Sequence, residues 1–229
     1  MDVAVIGGTG AEGFGLALRL GKAGHHVVIG SRDATRGAAA AGKALDLVAG
    51  SVEGTDNASA AAAAAGGGVV AVTVPYEGQA DIYRSIADAV APGAVVLDAT
   101  SPLATAVGGR PWQVLRPWHG SAAEQARALL GGRARVVAAL HTIAAAALRD
   151  LDRDLDSDVL VCGDDGEAKA RVGSLIGDIP GLRWVDCGRL EMARVAEPLT
   201  ALLVSINRTY RVHDSGFRIT GRDSWGPAR

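Results

Sequence analysis

Apolar residues follow two alternating rhythms along this chain. Short continuous runs at Val3 to Ile6, His26 to Ile29, Val69 to Val74, Ala94 to Asp98 and Ala134 to Ala139 have the length and content of strands buried on both faces. Between them lie stretches of helical character. Leu16, Ala17, Leu18 and Leu20 form one inner face, closed by Gly24, and residues 34 to 49 form another. Asn57 is expected to cap an alanine-rich helix through Ala65, and Ser121 to Leu130 reads as a further helix. Strand and helix in regular alternation predict an α/β protein with a doubly wound parallel sheet.

The second half changes character. Asp150 to Asp156 is an acidic connection, Val159 to Val161 a strand, and Gly163-Asp164-Asp165 the cap of a helix through Ile176. Arg183 to Asp186 is a strand after the Pro180-Gly181 turn, and Leu190 to Tyr210 reads as one long apolar helix kinked at Pro198. The tail from His213 to Arg229 is polar and rich in glycine. Ala99 to His119 has no periodicity and carries Pro111-Trp112 and Pro117-Trp118. Long irregular loops inside compact domains are usually functional, so a lid or ligand-facing wall is one reading of it. A surface loop pinned by its tryptophans is the other.

Candidate chemistry begins at the first strand-to-helix turn. Gly8, Gly10 and Gly13 have G-x-G-x-x-G spacing, which serves a tight turn, backbone approach to a pyrophosphate, and close helix-on-strand packing. The helix that follows offers free N–H groups and a partial positive charge to phosphates. Gly7, Gly10 and Gly13 also satisfy G-x-x-G-x-x-G, so the glycines imply a dinucleotide without fixing the reaction.

The tip of the second strand selects the dinucleotide. A carboxylate there would bind the ribose hydroxyls of NAD, but Gly30 stands at the tip, followed by Ser31 and Arg32, with Arg36 one turn later. A hydroxyl and two guanidinium groups suit a phosphate dianion, which predicts NADP. Asp33 is better placed as the cap of the next helix. Val74-Pro75-Tyr76 ends the next strand and should lie along the cofactor toward its nicotinamide, with Tyr76 and Ala80 on one helix face. His141 and Thr142 lie at another strand end beside small residues, where either a structural or a site role is open.

Bulk properties narrow the partners. With 229 residues, 48% hydrophobic and 21% charged, the composition is that of an ordinary globular protein. A net charge of −2 without a basic cluster argues against nucleic acid. The five histidines and two cysteines show no metal-ligand spacing, so no metal is expected, and Cys162 and Cys187 are expected as reduced thiols. There is no apolar run of about 18 residues for a membrane span and no leader pattern, which makes the cytoplasm the expected compartment.

Taken together, several motifs are similar to those of the NADPH-dependent reductases of coenzyme F420. They are Gly-Gly-Thr-Gly at 7–10, Gly30-Ser31-Arg32, Ala139-Leu-His-Thr-Ile143, Val161-Cys-Gly-Asp-Asp165, Gly181-Leu-Arg183, and Ala193-Arg194 to Leu199-Thr200. The resemblance spans nearly the whole chain and is most specific in its second half. It implies reversible hydride transfer between NADP(H) and the deazaflavin F420. It also implies a Rossmann domain over residues 1–145, a smaller C-terminal domain over 146–229, and a deazaflavin cleft between them.

By the same resemblance Thr9, Gly10, Ala11, Glu12, Ser31, Arg32 and Arg36 hold NADP, and Tyr76, Ala80 and Ala145 flank its nicotinamide half. His141, Thr142, Ile143, Arg194 and Thr200 lie on the deazaflavin side. His141 would act by positioning or electrostatics, and Arg194 or a backbone N–H would stabilise an anionic reduced deazaflavin. The chain departs from some relatives at Ala144, where a proline can stand, and at Pro198, where a hydroxyl residue can stand.

Two other readings share the scaffold. An NADPH-dependent reductase of a small carbonyl or imine would need a proton donor, His141 or Tyr76. A non-enzymatic NADP-binding sensor is the second. None of Tyr76, Tyr83 or Tyr210 is followed four residues later by lysine, so the short-chain dehydrogenase dyad is absent. The apolar last helix reads either as a homodimer surface or as intrachain core.

Overall fold

A computed structural model of the chain describes residues 1–222 and 225. Its strands are β1 (Asp2–Ile6), β2 (His26–Ser31), β3 (Ser51–Asp56), β4 (Val69–Val72), β5 (Val95–Asp98), β6 (Arg135–Ala138), β7 (Ser157–Gly163) and β8 (Leu182–Asp186). They form one eight-stranded sheet in the order β3-β2-β1-β4-β5-β6-β7-β8. Every pairing is parallel except β6 with β7. The doubly wound α/β architecture expected from the alternating rhythms is therefore present.

The sheet is packed on both faces. On one side Leu16, Leu20, Ala40, Ala44, Val172, Leu175 and Ile176 cover it, and on the other Ala60, Ala64, Ile82, Tyr83, Ala123 and Ala126 do so. The helices among the described residues are α1 (Ala11–Lys22), α2 (Ala34–Leu45), α3 (Asn57–Ala63), α4 (Tyr76–Ile86), α5 (Ala122–Leu129), α6 (Ala145–Arg149), α7 (Gly166–Gly177), α8 (Ala193–Ala196) and α9 (Leu199–Tyr210). No helix among the described residues is long and apolar enough to cross a membrane.

Several boundaries differ from the sequence expectations, each for a local reason. β3 is a polar edge strand in which Val52 alone is fully buried, so no apolar run announces it. The cap of α3 is Asp56, which accepts from the N–H groups of Ala58 and Ser59 at 3.0 Å, while Asn57 is the first helical residue. α2 stops at Leu45, four residues before the expected end. The helix expected over 190–210 is broken at Pro198: a 3₁₀ turn (Leu190–Met192) leads into α8, and Pro198 becomes the cap of α9.

The 99–119 segment is ordered by a 3₁₀ turn at Ala104–Val107 and by a bridge between Leu103 and Val114. The Arg208 guanidinium stacks 4.4 Å from the Trp112 ring, pinning the loop to α9, whereas Trp118 is exposed. The chain then returns past the start of β7. Phe217 exchanges hydrogen bonds with Ser157 and Asp158, and Arg222 donates to the Trp184 carbonyl of β8. Asp158, fully buried, accepts from Arg183 at 2.7 and 3.0 Å and from the Ile219 N–H.

Candidate functional site

A deep cleft lies beyond the carboxyl ends of β1, β4, β5 and β6, where doubly wound sheets bind ligands. It is a cleft of about 580 Å³ walled by Gly10 to Glu12, Thr73 to Glu77, Ala99 to Ser101, His141 to Ala145 and, from α9, Thr200, Leu203, Val204 and Asn207. Leu103, Thr105 and Ala106 join it, so the irregular loop is both pinned by Trp112 and part of the cleft wall.

The glycine turn is packed as its spacing requires. A Cβ on Gly8 would stand 2.8 Å from the Val5 carbonyl oxygen, and one on Gly13 would collide with Thr73 Oγ1 and stand 2.8 Å from the Gly8 Cα. The turn is held from the residue after β4, where the Thr73 hydroxyl donates to the Ile6 carbonyl at 3.0 Å. Asn57 supports it from α3 through Oδ1, 3.4 Å from the Gly7 N–H. Neither Thr73 nor Asn57 stood out in the sequence as a site residue, since both act through strand and helix neighbours far along the chain.

Ser31 is buried at the end of β2, while Arg32 and Arg36 are exposed beside it. Asp33 caps α2, accepting from Thr35 N–H at 2.8 Å and Arg36 N–H at 3.2 Å, which keeps its carboxylate on the helix end. Arg36 lines a second cavity of about 450 Å³ together with Thr9, Gly10 and Ala11. Gly10 and Ala11 thus border both cavities.

His141 follows Leu140, whose φ of 71° is a conformation that non-glycine residues rarely adopt. That reversal after β6 turns the histidine into the cleft wall. The ring is buried, its Nε2 has no hydrogen-bond partner, and burial pushes its pKa down to about 4. Its carbonyl accepts from the Thr200 hydroxyl at 2.8 Å, and that hydroxyl lies 2.7 Å from Ser101 Oγ. Three segments distant in sequence therefore meet at Thr200.

Tyr76 is oriented by a buried polar chain. Its hydroxyl donates to Gln125 Oε1 at 3.3 Å, Gln125 donates to Gln79 Oε1 at 2.8 Å, and Gln79 donates to Asp98 Oδ2 at 2.8 Å. Tyr83 also donates to Asp98, at 2.6 Å. Burial raises Asp98 to about 6, opposed by these donors and by the Thr100 N–H. Glu12, in the cleft wall, is raised to about 8 by burial and by the charge of Asp98. A buried carboxyl at a strand tip is a signal the sequence carried, in Asp98, but its partners lie on two helices that spacing alone does not bring together.

The expected residues do not all converge. Glu12, Val74, Pro75, Tyr76, His141, Thr142, Ile143, Ala145 and Thr200 share the cleft. Ala80, one turn along α4, is half-buried and is not in its wall. Arg194 is displaced from the expected place: it forms a bidentate pair with Glu124 at 2.7 and 2.8 Å and lines a neighbouring cavity with Pro102, Leu115, Arg116 and Pro198. Its charge is committed to a carboxylate that sequence separation hid.

Known proteins resemble both the chain and its fold. The family model described as NADP oxidoreductase coenzyme F420-dependent matches residues 2–102. The F420-dependent NADP reductase of Methanothermobacter marburgensis is 42% identical over 224 residues, covering 96% of this chain and 98% of its own length. That of Methanothermobacter thermautotrophicus is 43% identical, covering 96% and 95% respectively. A solved structure from Arthrobacter, provisionally described as an F420-dependent NADP reductase, superposes with a TM-score of 0.81 at 26% identity, covering 96% of this chain and 99% of that one. Since the likeness extends over both halves of the chain, it belongs to the F420-dependent NADP reductase family.

Proposed function

We propose that the chain catalyses reversible hydride transfer between NADP(H) and coenzyme F420. The observation that carries the reading is the continuity of the glycine turn with the cleft: Gly10 to Glu12 and His141 to Ala145 stand on the walls of one concavity. The residues present suit both partners. The glycine turn leaves no room for a Cβ at Gly8 or Gly13, and the buried, partnerless Nε2 of His141 is a polar atom awaiting a ligand.

In this reading Gly8, Thr9, Gly10, Ala11, Glu12 and Gly13 hold the pyrophosphate half, and Ser31, Arg32 and Arg36 receive the 2′-phosphate. Val74, Pro75, Tyr76 and Ala145 flank the nicotinamide half, and Ala80, outside the cleft wall, has no contact role in it. Thr142, Ile143 and Thr200 face the deazaflavin, with His141 as a positioning residue. Residues 1–145 act as the NADP-binding unit, and 146–229 complete the deazaflavin cleft. The bound coenzymes supply the carbons between which the hydride passes. The chain's part would be to hold the two coenzymes against each other in the cleft and to exclude water.

The same site argues against a carbonyl or imine reductase, which needs a proton donor at the reduced atom. His141 is held neutral, and the Tyr76 hydroxyl is raised by burial and already donates to Gln125. Neither is poised as an acid. The exposed Val195, Leu202 and Tyr210 on α8 and α9 support a homodimer, and the cytoplasm is the compartment this reading proposes. Mixing the protein with NADPH and oxidised F420 should bleach the deazaflavin absorbance. Persistence of that absorbance, alongside tight NADPH binding, would leave a sensor as the better account.

A further inference from the structure

Most arginines and lysines among the described residues are spoken for by a carboxylate, a carbonyl or a ring. Arg127, Arg135, Arg153, Lys169, Arg183, Arg194 and Arg218 lie in ion pairs, and Arg208 lies over Trp112. Arg36, Lys43 and Arg149 differ: among the described residues their side chains have no hydrogen-bonding or ionic partner. All three line the same cavity of about 450 Å³, and no carboxylate lines it with them. Three unneutralised cations around one concavity constitute a site for a multiply charged anion.

The geometry of the walls sharpens this. Arg36, Ala40 and Lys43 lie on one face of α2, and the small side chains of Ala39 and Ala40 between the cations leave room for a ligand. Arg149 comes from the opposite side, at the end of α6. Its stem rests on α1, where a Cβ on Gly15 would be 3.1 Å from Arg149 Cγ. The backbone to either side of it is held by the buried Arg19, which donates to the carbonyls of Ala147 and Leu148 at 3.0 Å and to those of Asp150 and Arg153. The residues on both sides of Arg149 are thereby tethered. The arginine is presented on a rigid platform at the mouth of the cavity, which limits the conformational entropy lost on binding.

We infer that Arg149 and Lys43 join Arg36 in binding the adenosine 2′-phosphate of NADP and so determine the preference for NADP over NAD. The inference rests on the NADP reading above and extends it to a residue from the second half of the chain. A phosphate dianion held between α2 and α6 also links the cofactor domain to the segment that carries His141. NADP selectivity is then a property of both halves, where the β2 tip alone would have made it a property of the first.

The test is steady-state kinetics with NADPH and NADH on the full chain, joined to calorimetric binding of 2′,5′-ADP and of 5′-ADP. Arg149→Ala should raise the KM for NADPH about tenfold and weaken 2′,5′-ADP similarly, the loss of roughly one charge-assisted contact. NADH and 5′-ADP should change by less than about twofold. Lys43→Ala should shift the same readouts in the same direction, and Arg149→Lys should recover part of the loss. An equal loss for NADPH and NADH would overturn the assignment, since it would place Arg149 on the pyrophosphate. Unchanged NADPH selectivity in Arg149→Ala, with a wild type that prefers NADPH, would overturn the assignment alone. A wild type without that preference would overturn the NADP reading as well.

Discussion

His141 combines a buried ring, a partnerless Nε2 and a pKa pushed down to about 4, so it is neutral throughout the range in which enzymes work. As a positioning residue it should be helpful but dispensable: His141→Ala should lower the single-turnover rate of F420 reduction by about tenfold. Complete loss in a folded variant would assign it proton chemistry instead. The same shift has a stability consequence. The folded pKa lies below the unfolded value of 6.5, so this group's contribution is present above about 6.5 and is lost as pH falls toward 4. His141→Gln should flatten that part of a thermal-midpoint profile. At the other end of the proposed cofactor, removing Arg32 and Arg36 together should erase most of the NADPH preference. The ratio of KM values for NADPH and NADH measures this, and an unchanged ratio would rule out the β2 tip as the 2′-phosphate site.

At the scale of elements, the crossing of α1 over β1 depends on glycines that admit no side chain. Gly13→Ala would drive a methyl group into Thr73 Oγ1 and the Gly8 backbone, and should cost about 1–3 kcal/mol in urea unfolding while weakening nucleotide binding. This turn was legible because its neighbours are local: strand, glycines and helix are consecutive. The same holds for β2, whose apolar run and following Asp33 cap both lie within a few residues. Elements whose identity depends on distant partners were harder to read. β3 is defined by pairing with β2 and not by its own polar composition. Beside the break at Pro198, Glu197 turns inward to accept from the Ala122 and Ala123 N–H groups of α5, a partner that spacing does not announce. Arg194 was expected in the cleft on family likeness, and only the fold reveals Glu124 beside it.

For the whole molecule, one buried side chain reinforces the shared sheet and core that join the two halves. Arg19 of α1 binds four carbonyls between Ala147 and Arg153, so the segment that follows His141 is tied to the helix that starts at the glycine turn. Arg19→Met keeps the apolar stem and removes the donors. It should lower stability by about 2–4 kcal/mol and raise hydrogen exchange in residues 145–153 ahead of the sheet. Unaltered protection there would show that packing on α1 suffices. The sequence displayed an arginine in an apolar helix but not the carbonyls it serves, since those lie more than a hundred residues away.

The returning tail has a consequence of a different kind. An eight-stranded open sheet has two outer edges, and β8 is one of them. Such an edge is a template on which another chain can add a strand. Here Arg222 occupies the Trp184 carbonyl, and Phe217 and Ile219 are bonded to the start of the adjoining strand. A chain shortened after Tyr210 would present that carbonyl and the buried Asp158 without several of their partners. Its first symptom should be concentration-dependent self-association, seen by light scattering, before any measurable loss of nucleotide binding.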